Sequence, residues 1–178
     1  MAGKVLITGG NGYIARFLIQ RLAASGWRIR ATLRDPSKAA ALRRALGVEE
    51  ERLSFFCADL MHDAGWAEAL SGCTHVAHLA SPLPSGVPES EEEVIAPARD
   101  GALRVLRFAR DAGAKRFVLA SSIGAIGYGR PKGDYLFTEA DWTDTTHPDT
   151  HAYVNSKTIS ERCARDWMVT EGGAMEFC

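Results

Sequence analysis

The sequence predicts an α/β fold, a doubly wound parallel sheet with helices on both faces. Two observations predict it. Apolar runs of strand length alternate with longer stretches of helical periodicity, and that alternation implies right-handed strand–helix–strand crossovers. A glycine cluster, Gly9, Gly10 and Gly12, also sits where the first strand gives way to the first helix. The 178 residues, 46% hydrophobic and 24% charged, suffice for one domain over 1–178 that buries most of its surface.

Residues 4–8 (KVLIT) read as the first strand, and Tyr13–Ala24 as a helix with Ile14, Phe17, Leu18 and Leu22 on one apolar face. Arg28–Leu33 is the second strand, and residues 36–46 form a helix with proline in its first turn. Leu53–Cys57 is the third strand, residues 64–70 a short helix and residues 74–79 the fourth strand. A long helix follows over 90–112. Ser90 and Glu93 have the spacing of a capping box. Ala98, Gly101, Ala102, Val105, Phe108, Ala109 and Ala112 share a packing face. Glu91, Glu92 and Glu93 near the start, with Arg107 and Arg110 near the end, suit the helix dipole. Pro97 is expected to kink this helix or reset its beginning. Residues 116–121 form a fifth strand, an irregular stretch rich in Gly, Pro, Asp and Thr follows, and a last helix covers 150–169. Met175, Glu176, Phe177 and Cys178 open a sixth strand. A chain that stops within an element is the expectation for a fragment of a longer protein.

Charge and cysteine usage narrow the function. Lys+Arg number 21 and Asp+Glu 22, a formal net charge of −1, which argues against a nucleic-acid-binding surface. No apolar run approaches the roughly 18 residues of a membrane span. Met1, Ala2, Gly3 and Lys4 lead straight into the first strand without the layout of a signal peptide. Cys57, Cys73, Cys163 and Cys178 form no CxxC pair, so reduced and mostly buried thiols of a cytoplasmic protein are expected, with no metal site.

The junction Thr8, Gly9, Gly10, Asn11, Gly12, Tyr13, Ile14, Ala15 fits G-x-G-x-x-G/A through Gly10, Gly12 and Ala15, and G-x-x-G-x-x-A through Gly9, Gly12 and Ala15. Glycine is needed there because a β-carbon blocks both the tight turn and the approach of a pyrophosphate, which then sits at the helix N-terminus among free N–H donors. A Rossmann-type dinucleotide site follows, with Thr8, Gly9, Gly10, Gly12, Tyr13 and Ile14 as contacts. The second strand ends Thr32, Leu33, Arg34, Asp35, Pro36. Leu33 stands where a reader of NAD carries an acid, and Arg34 with Lys38 supplies two cations for a 2′-phosphate, favouring NADP(H) over NAD. The alternative makes Arg34 a surface arginine, with Asp35 reading a free hydroxyl. Asp59 and Leu60 close the third strand, Asp59 as adenine contact or as N-cap. Ala80, Ser81 and Pro82 close the fourth, at the ligand-binding edge.

Tyr153 and Lys157 lie at i, i+4 in a helical stretch and so share a face. A phenol of ordinary pKa about 10 is a poor acid or base at neutral pH. Lowering it by about 3 units needs about 4 kcal/mol, which a nearby lysine supplies only in a partly desolvated site. Tyr128 and Lys132 repeat the spacing, but Gly129 and Pro131 forbid a regular helix between them. Ser122 follows the fifth strand, where a hydroxyl can bond a substrate carbonyl and the oxyanion it becomes; a cap or turn is the competing reading. His75 and His78 point to opposite strand faces and cannot share a metal; His62, His147 and His151 read as solvated. Trp27, Trp66, Trp142 and Trp167 read as packing residues.

Together these residues resemble the extended short-chain dehydrogenase/reductases, in particular the dihydroflavonol 4-reductase and cinnamoyl-CoA reductase group of the NAD-dependent epimerase/dehydratase family. The segments that carry the likeness are TGGNGYIA (8–15), ATLRDP (31–36), HLASP (78–82), LASSIGAIGYG (119–129), TEADWTD (138–144) and YVNSKTISER (153–162). The resemblance implies NADP(H)-dependent reduction of an aldehyde or ketone, with Tyr153 as proton donor, Lys157 lowering its pKa and holding the nicotinamide ribose, and Ser122 orienting the carbonyl. It also implies that a substrate-binding region follows residue 178. Gly127 stands where the flavonoid enzymes carry a substrate-contacting asparagine, so flavonoid specificity is not implied. A nucleotide-sugar epimerase or dehydratase with bound NAD, and a non-catalytic NADP-binding module, are the alternatives. Association of copies through the uncovered sheet edge, giving a homo-oligomer, is a further expectation.

Overall fold

Six strands form one parallel sheet in the order β3-β2-β1-β4-β5-β6, with β1 Lys4–Ile7, β2 Arg28–Leu33, β3 Leu53–Cys57, β4 His75–His78, β5 Arg116–Leu119 and β6 Glu176–Phe177. This computed structural model describes residues 3–81, 86, 88–131 and 133–178. Met1, Ala2, Pro82 and Lys132 lie outside the described residues. The helices are α1 Tyr13–Ala24, α2 Ala39–Leu46, α3 Trp66–Leu70, α4 Glu92–Asp111 and α5 Ala152–Glu171. Val5 pairs with both Ile29 and His75, so β1 is central, and Val5, Leu6 and Ile7 are buried on both faces. One face packs Ile7, Ile29 and Leu53 against Ala15, Ile19, Leu42 and Leu46 of α1 and α2. The other packs Leu6, Val76 and Phe117 against Trp66, Val105, Leu106 and Ala164 of α3, α4 and α5.

Several boundaries depart from the sequence reading, each for a local reason. Residues 36–38 form a 3-10 turn before α2, because the Asp35 carboxylate accepts the Ser37 N–H at 3.0 Å and draws the first turn tight. The Ser90–Glu93 capping box does not form. The Glu93 N–H donates to the Ser90 carbonyl, the Glu93 carboxylate accepts from the Glu89 N–H, and α4 starts at Glu92. Pro97 lies inside α4 and does not reset its start. In α1 the buried residues are Ala15 and Ile19, while Ile14 and Phe17 stay 65% and 55% exposed. Of the cysteines only Cys73 is buried, and Cys57 and Cys178 are exposed. Among the described residues no helix is long and apolar enough to cross a membrane.

Two contacts set the position of the carboxyl edge. Gly101 lets α4 approach the Leu60 side chain, since a β-carbon there would stand 2.9 Å from Leu60 Cβ. At the heart of the sheet, Thr8 Oγ1 lies 3.1 Å from His78 Nδ1 and ties β1 to β4. His78 is 2% exposed and packs on Phe117. Burial, helped by the charge of Lys157, pushes its pKa down to about 3.

Gly101→Val is expected to cost about 1–3 kcal/mol in urea unfolding, through overpacking against Leu60. The depressed histidine pKa sets the sign of an acid effect. Between about 3 and the ordinary 6.5 only the unfolded chain takes up that proton, so stability is untouched above 6.5 and lost as the pH falls below it. The slope from this group is up to about 1.4 kcal/mol per pH unit, and unfolding of His78→Asn across that window is expected to be correspondingly flatter.

Candidate active site

The strand order reverses direction between β1 and β4, and ligands of such sheets lie beyond the carboxyl ends of the strands at that point. There the glycine turn is built by three different constraints. Gly9 has φ +66, and its N–H donates to Thr32 Oγ1 at 3.1 Å. Gly10 presses against β2, where a β-carbon would stand 2.8 Å from Ala31 Cβ, and its N–H donates to the Thr32 carbonyl at 2.8 Å. Gly12 is the N-cap of α1 with no side-chain cap, leaving the first N–H groups of the helix open to an anion. Tyr13 and Ile14 direct their side chains to solvent, 79% and 65% exposed, so what they offer a ligand is their backbone N–H. Thr8 is fully buried, and its hydroxyl is engaged with Leu79, Ala80 and His78.

A cleft of about 640 Å3 opens beside this turn, lined by Gly9, Gly12, Arg34, Lys38, Asp59, Leu60, Ala80 and Ser81 among others. The Asp35 carboxylate, one candidate for a ribose hydroxyl, accepts from the Ser37 hydroxyl at 2.6 Å and the Ser37 N–H at 3.0 Å, bonds that hold its pKa below the usual carboxylate range. Lys38 stands 3.8 Å from it, an exposed and weak pair. Arg34 is exposed at the cleft and enters no ion pair among the described residues. Asp59 is not the N-cap of α3, a position held by Gly65. One carboxylate oxygen accepts the Met61 N–H at 2.8 Å in a local turn, and the residue also lines the cleft. Leu60 is buried and supplies an apolar wall. The sequence reading did not single out Asn11, Ala58, Met61, Leu79 or Pro97 as lining residues, and it gave Trp66 to packing alone. The Trp66 indole N–H, bonded at 3.0 Å to the Asp59 carbonyl, shapes the same wall.

A second set of candidates lies on α5 and on the segment that follows β5. Lys157 donates to the Ala120 carbonyl at 2.9 Å, which anchors its ammonium at the carboxyl edge, and burial pushes its pKa down. Tyr153 is one turn earlier on α5, its ring beside that of His151. Ser122 caps a 3-10 turn, Ile123–Ala125, its Oγ accepting the Gly124 N–H at 3.1 Å. The cap reading therefore holds, and it leaves the hydroxyl hydrogen free to donate elsewhere. Gly124 packs on the first turn of α5: its β-carbon position is 3.3 Å from Val154 Cγ2 and 3.4 Å from Ser122 Oγ. Thr143 holds this turn, donating to the Gly124 carbonyl at 2.7 Å and accepting the Tyr128 N–H at 3.0 Å. It was quoted only within a larger segment, because a threonine in an irregular stretch carries no periodic signal. Ser121 donates instead to the Glu161 carboxylate.

Ala80 and Ser81 connect the cleft to Lys157. They line the large cleft and also a small cavity of about 10 Å3 shared with His78, Ala120, Lys157 and Ser160. Among the described residues no group of three or more His, Cys, Asp or Glu is placed to hold a metal ion.

Residues 5–177 match the model of the NAD dependent epimerase/dehydratase family. The chain is 33% identical over 177 residues to a dihydroflavonol 4-reductase of Hordeum vulgare, covering 96% of this chain and 50% of that protein. It is 35% identical over 171 residues to cinnamoyl-CoA reductase CAD2 of Medicago truncatula, covering 92% and 52%. A solved structure of Gre2 in complex with NADPH, from Candida albicans, superposes with a TM-score of 0.85 at 25% identity, over 98% of this chain and 55% of that one. The chain thus spans about half the length of the curated relatives it matches. With the glycine turn, the sheet order and the matched span in agreement, the chain belongs to the NAD-dependent epimerase/dehydratase family.

Proposed function

We propose that this chain is the cofactor-binding part of an NADP(H)-dependent oxidoreductase that reduces an aldehyde or ketone to an alcohol. The observation that carries the reading is the junction at Ala80 and Ser81, where the cleft beside the glycine turn meets the cavity of Lys157. The residues present fit the cofactor. The open N-terminus of α1 and the turn at Gly9, Gly10 and Gly12 suit a pyrophosphate, and the exposed Arg34 with Lys38 suits a 2′-phosphate. Asp35 is drawn into its own turn, which favours NADP over NAD. When bound, the nicotinamide supplies the hydride.

The protein groups handle the oxygen. Ser122 donates its free hydroxyl hydrogen to the substrate carbonyl and to the alkoxide it becomes. Tyr153 transfers its phenolic proton to that oxygen, and the Lys157 charge, held at the strand edge by Ala120, favours the phenolate left behind. Turnover is proposed for the protein at the length of its relatives, since this chain spans about half of them. The family also gives weight to a reading with tightly held NAD. NAD released from denatured protein would favour an epimerase or dehydratase.

Isothermal titration is expected to show NADPH bound more tightly than NADH. Arg34→Leu should weaken NADPH by about tenfold or more and leave NADH nearly unchanged, because only the phosphate uses the guanidinium. Equal affinities in the wild type overturn the cofactor assignment. In a version of the length of its relatives, Tyr153→Phe should lower turnover by roughly 100-fold or more with NADPH affinity retained. Unchanged turnover removes Tyr153 from the mechanism.

A further inference from the structure

Thr8 Oγ1 lies within hydrogen-bond distance of three groups: the Leu79 N–H at 3.0 Å, the Ala80 N–H at 2.9 Å and His78 Nδ1 at 3.1 Å. The two backbone amides can only donate, so they occupy both lone pairs of the hydroxyl. Its single hydrogen is left for His78 Nδ1, which therefore accepts. An imidazole that accepts at Nδ1 and is neutral carries its hydrogen on Nε2. We propose that His78 is a positioning residue, held as the neutral Nε2–H tautomer, that locks the end of β4 against the glycine turn and so sets the shape of the dinucleotide cleft.

The surroundings fit no other protonation state. An imidazolium would bring a third donor to the Thr8 oxygen, which has no lone pair left for it. It would also share a small cavity with the Lys157 ammonium, in a ring environment that is 2% exposed. The lock has a direct geometric consequence. Ala80, whose N–H it holds, lies 3.3 Å from the β-carbon position of Gly9, so a slip of residues 79 and 80 moves the floor of the cleft into the turn. The sequence conceals this because a strand histidine and a threonine 70 residues apart share no periodic pattern.

The effect on binding rests on the dinucleotide reading of the cleft, whereas the tautomer does not. Nitrogen NMR of the histidine-labelled 178-residue chain should show His78 with a bare Nδ1 and a protonated Nε2, unchanged as the pH is lowered to about 5. A protonated Nδ1, or titration near the ordinary histidine value, overturns the assignment. His78→Asn offers an amide oxygen near the position of Nδ1, and His78→Phe offers no acceptor. NADPH dissociation constants should rise about tenfold or more for His78→Phe and stay within about threefold of wild type for His78→Asn. Should the phenylalanine variant not fold, His78→Gln, whose amide falls near Nε2, takes its place with the same expected weakening. Equal loss in the acceptor and non-acceptor variants, or no loss in either, overturns the positioning role. A wild-type chain that binds no NADPH defeats the functional reading instead, and the ring signals then decide His78 alone.

Discussion

The structure depends on where the strand order turns around. β1 lies between β2 and β4, so the crossovers leaving it in the two directions diverge and open a crevice at its carboxyl end. All strands run parallel, and every strand end that matters for chemistry is therefore on one side of the sheet. The glycine turn follows β1, Arg34 follows β2, Asp59 follows β3, Ala80 and Ser81 follow β4, and Ser122 follows β5. One topological constraint collects residues from more than 100 positions of sequence at a single edge.

Hydrogen bonds then fix that edge to within side-chain reach. The Thr8 hydroxyl ties β1 to the first residues after β4, and Lys157 ties α5 to the Ala120 carbonyl after β5. Ser160 adds a buried link from α5 to the Ala98 carbonyl of α4, and Asn155 reaches Glu91 at the start of that helix. These polar links sit among apolar packing, where an unmade bond costs more than a made one contributes. They therefore act less as sources of stability than as restraints on register between elements that bear the site.

Much of this was legible in the residues. The alternation of strand and helix periods gave the element order, and the glycine spacing at Gly9, Gly10 and Gly12 marked the turn between β1 and α1 that lines the cleft. Helix boundaries were less legible where a side chain competes for the backbone. Asp35 turns the start of a helix into a 3-10 turn, and Ser90 yields its carbonyl where the pattern promised its hydroxyl. The apolar face of α1 was read only in part, since Leu18 and Leu22 pack against the core while Ile14 and Phe17 do not. Periodicity names the apolar residues Ile14 and Phe17, but the residues of α1 buried against the sheet are Ala15 and Ile19.

The sequence by itself determined the sheet, its ligand-bearing edge and the residue types offered there, since these follow from local periods and from the steric need for glycine. Tertiary structure alone decided which of those groups are free to act. It engages Asp35 in its own turn, leaves Arg34 outside any ion pair among the described residues, makes Ser122 a cap with a spare hydrogen and ties the Thr8 hydroxyl to the end of β4. The reason is that a hydroxyl or carboxylate has few bonding sites, and which partners fill them depends on neighbours that only the folded chain brings close.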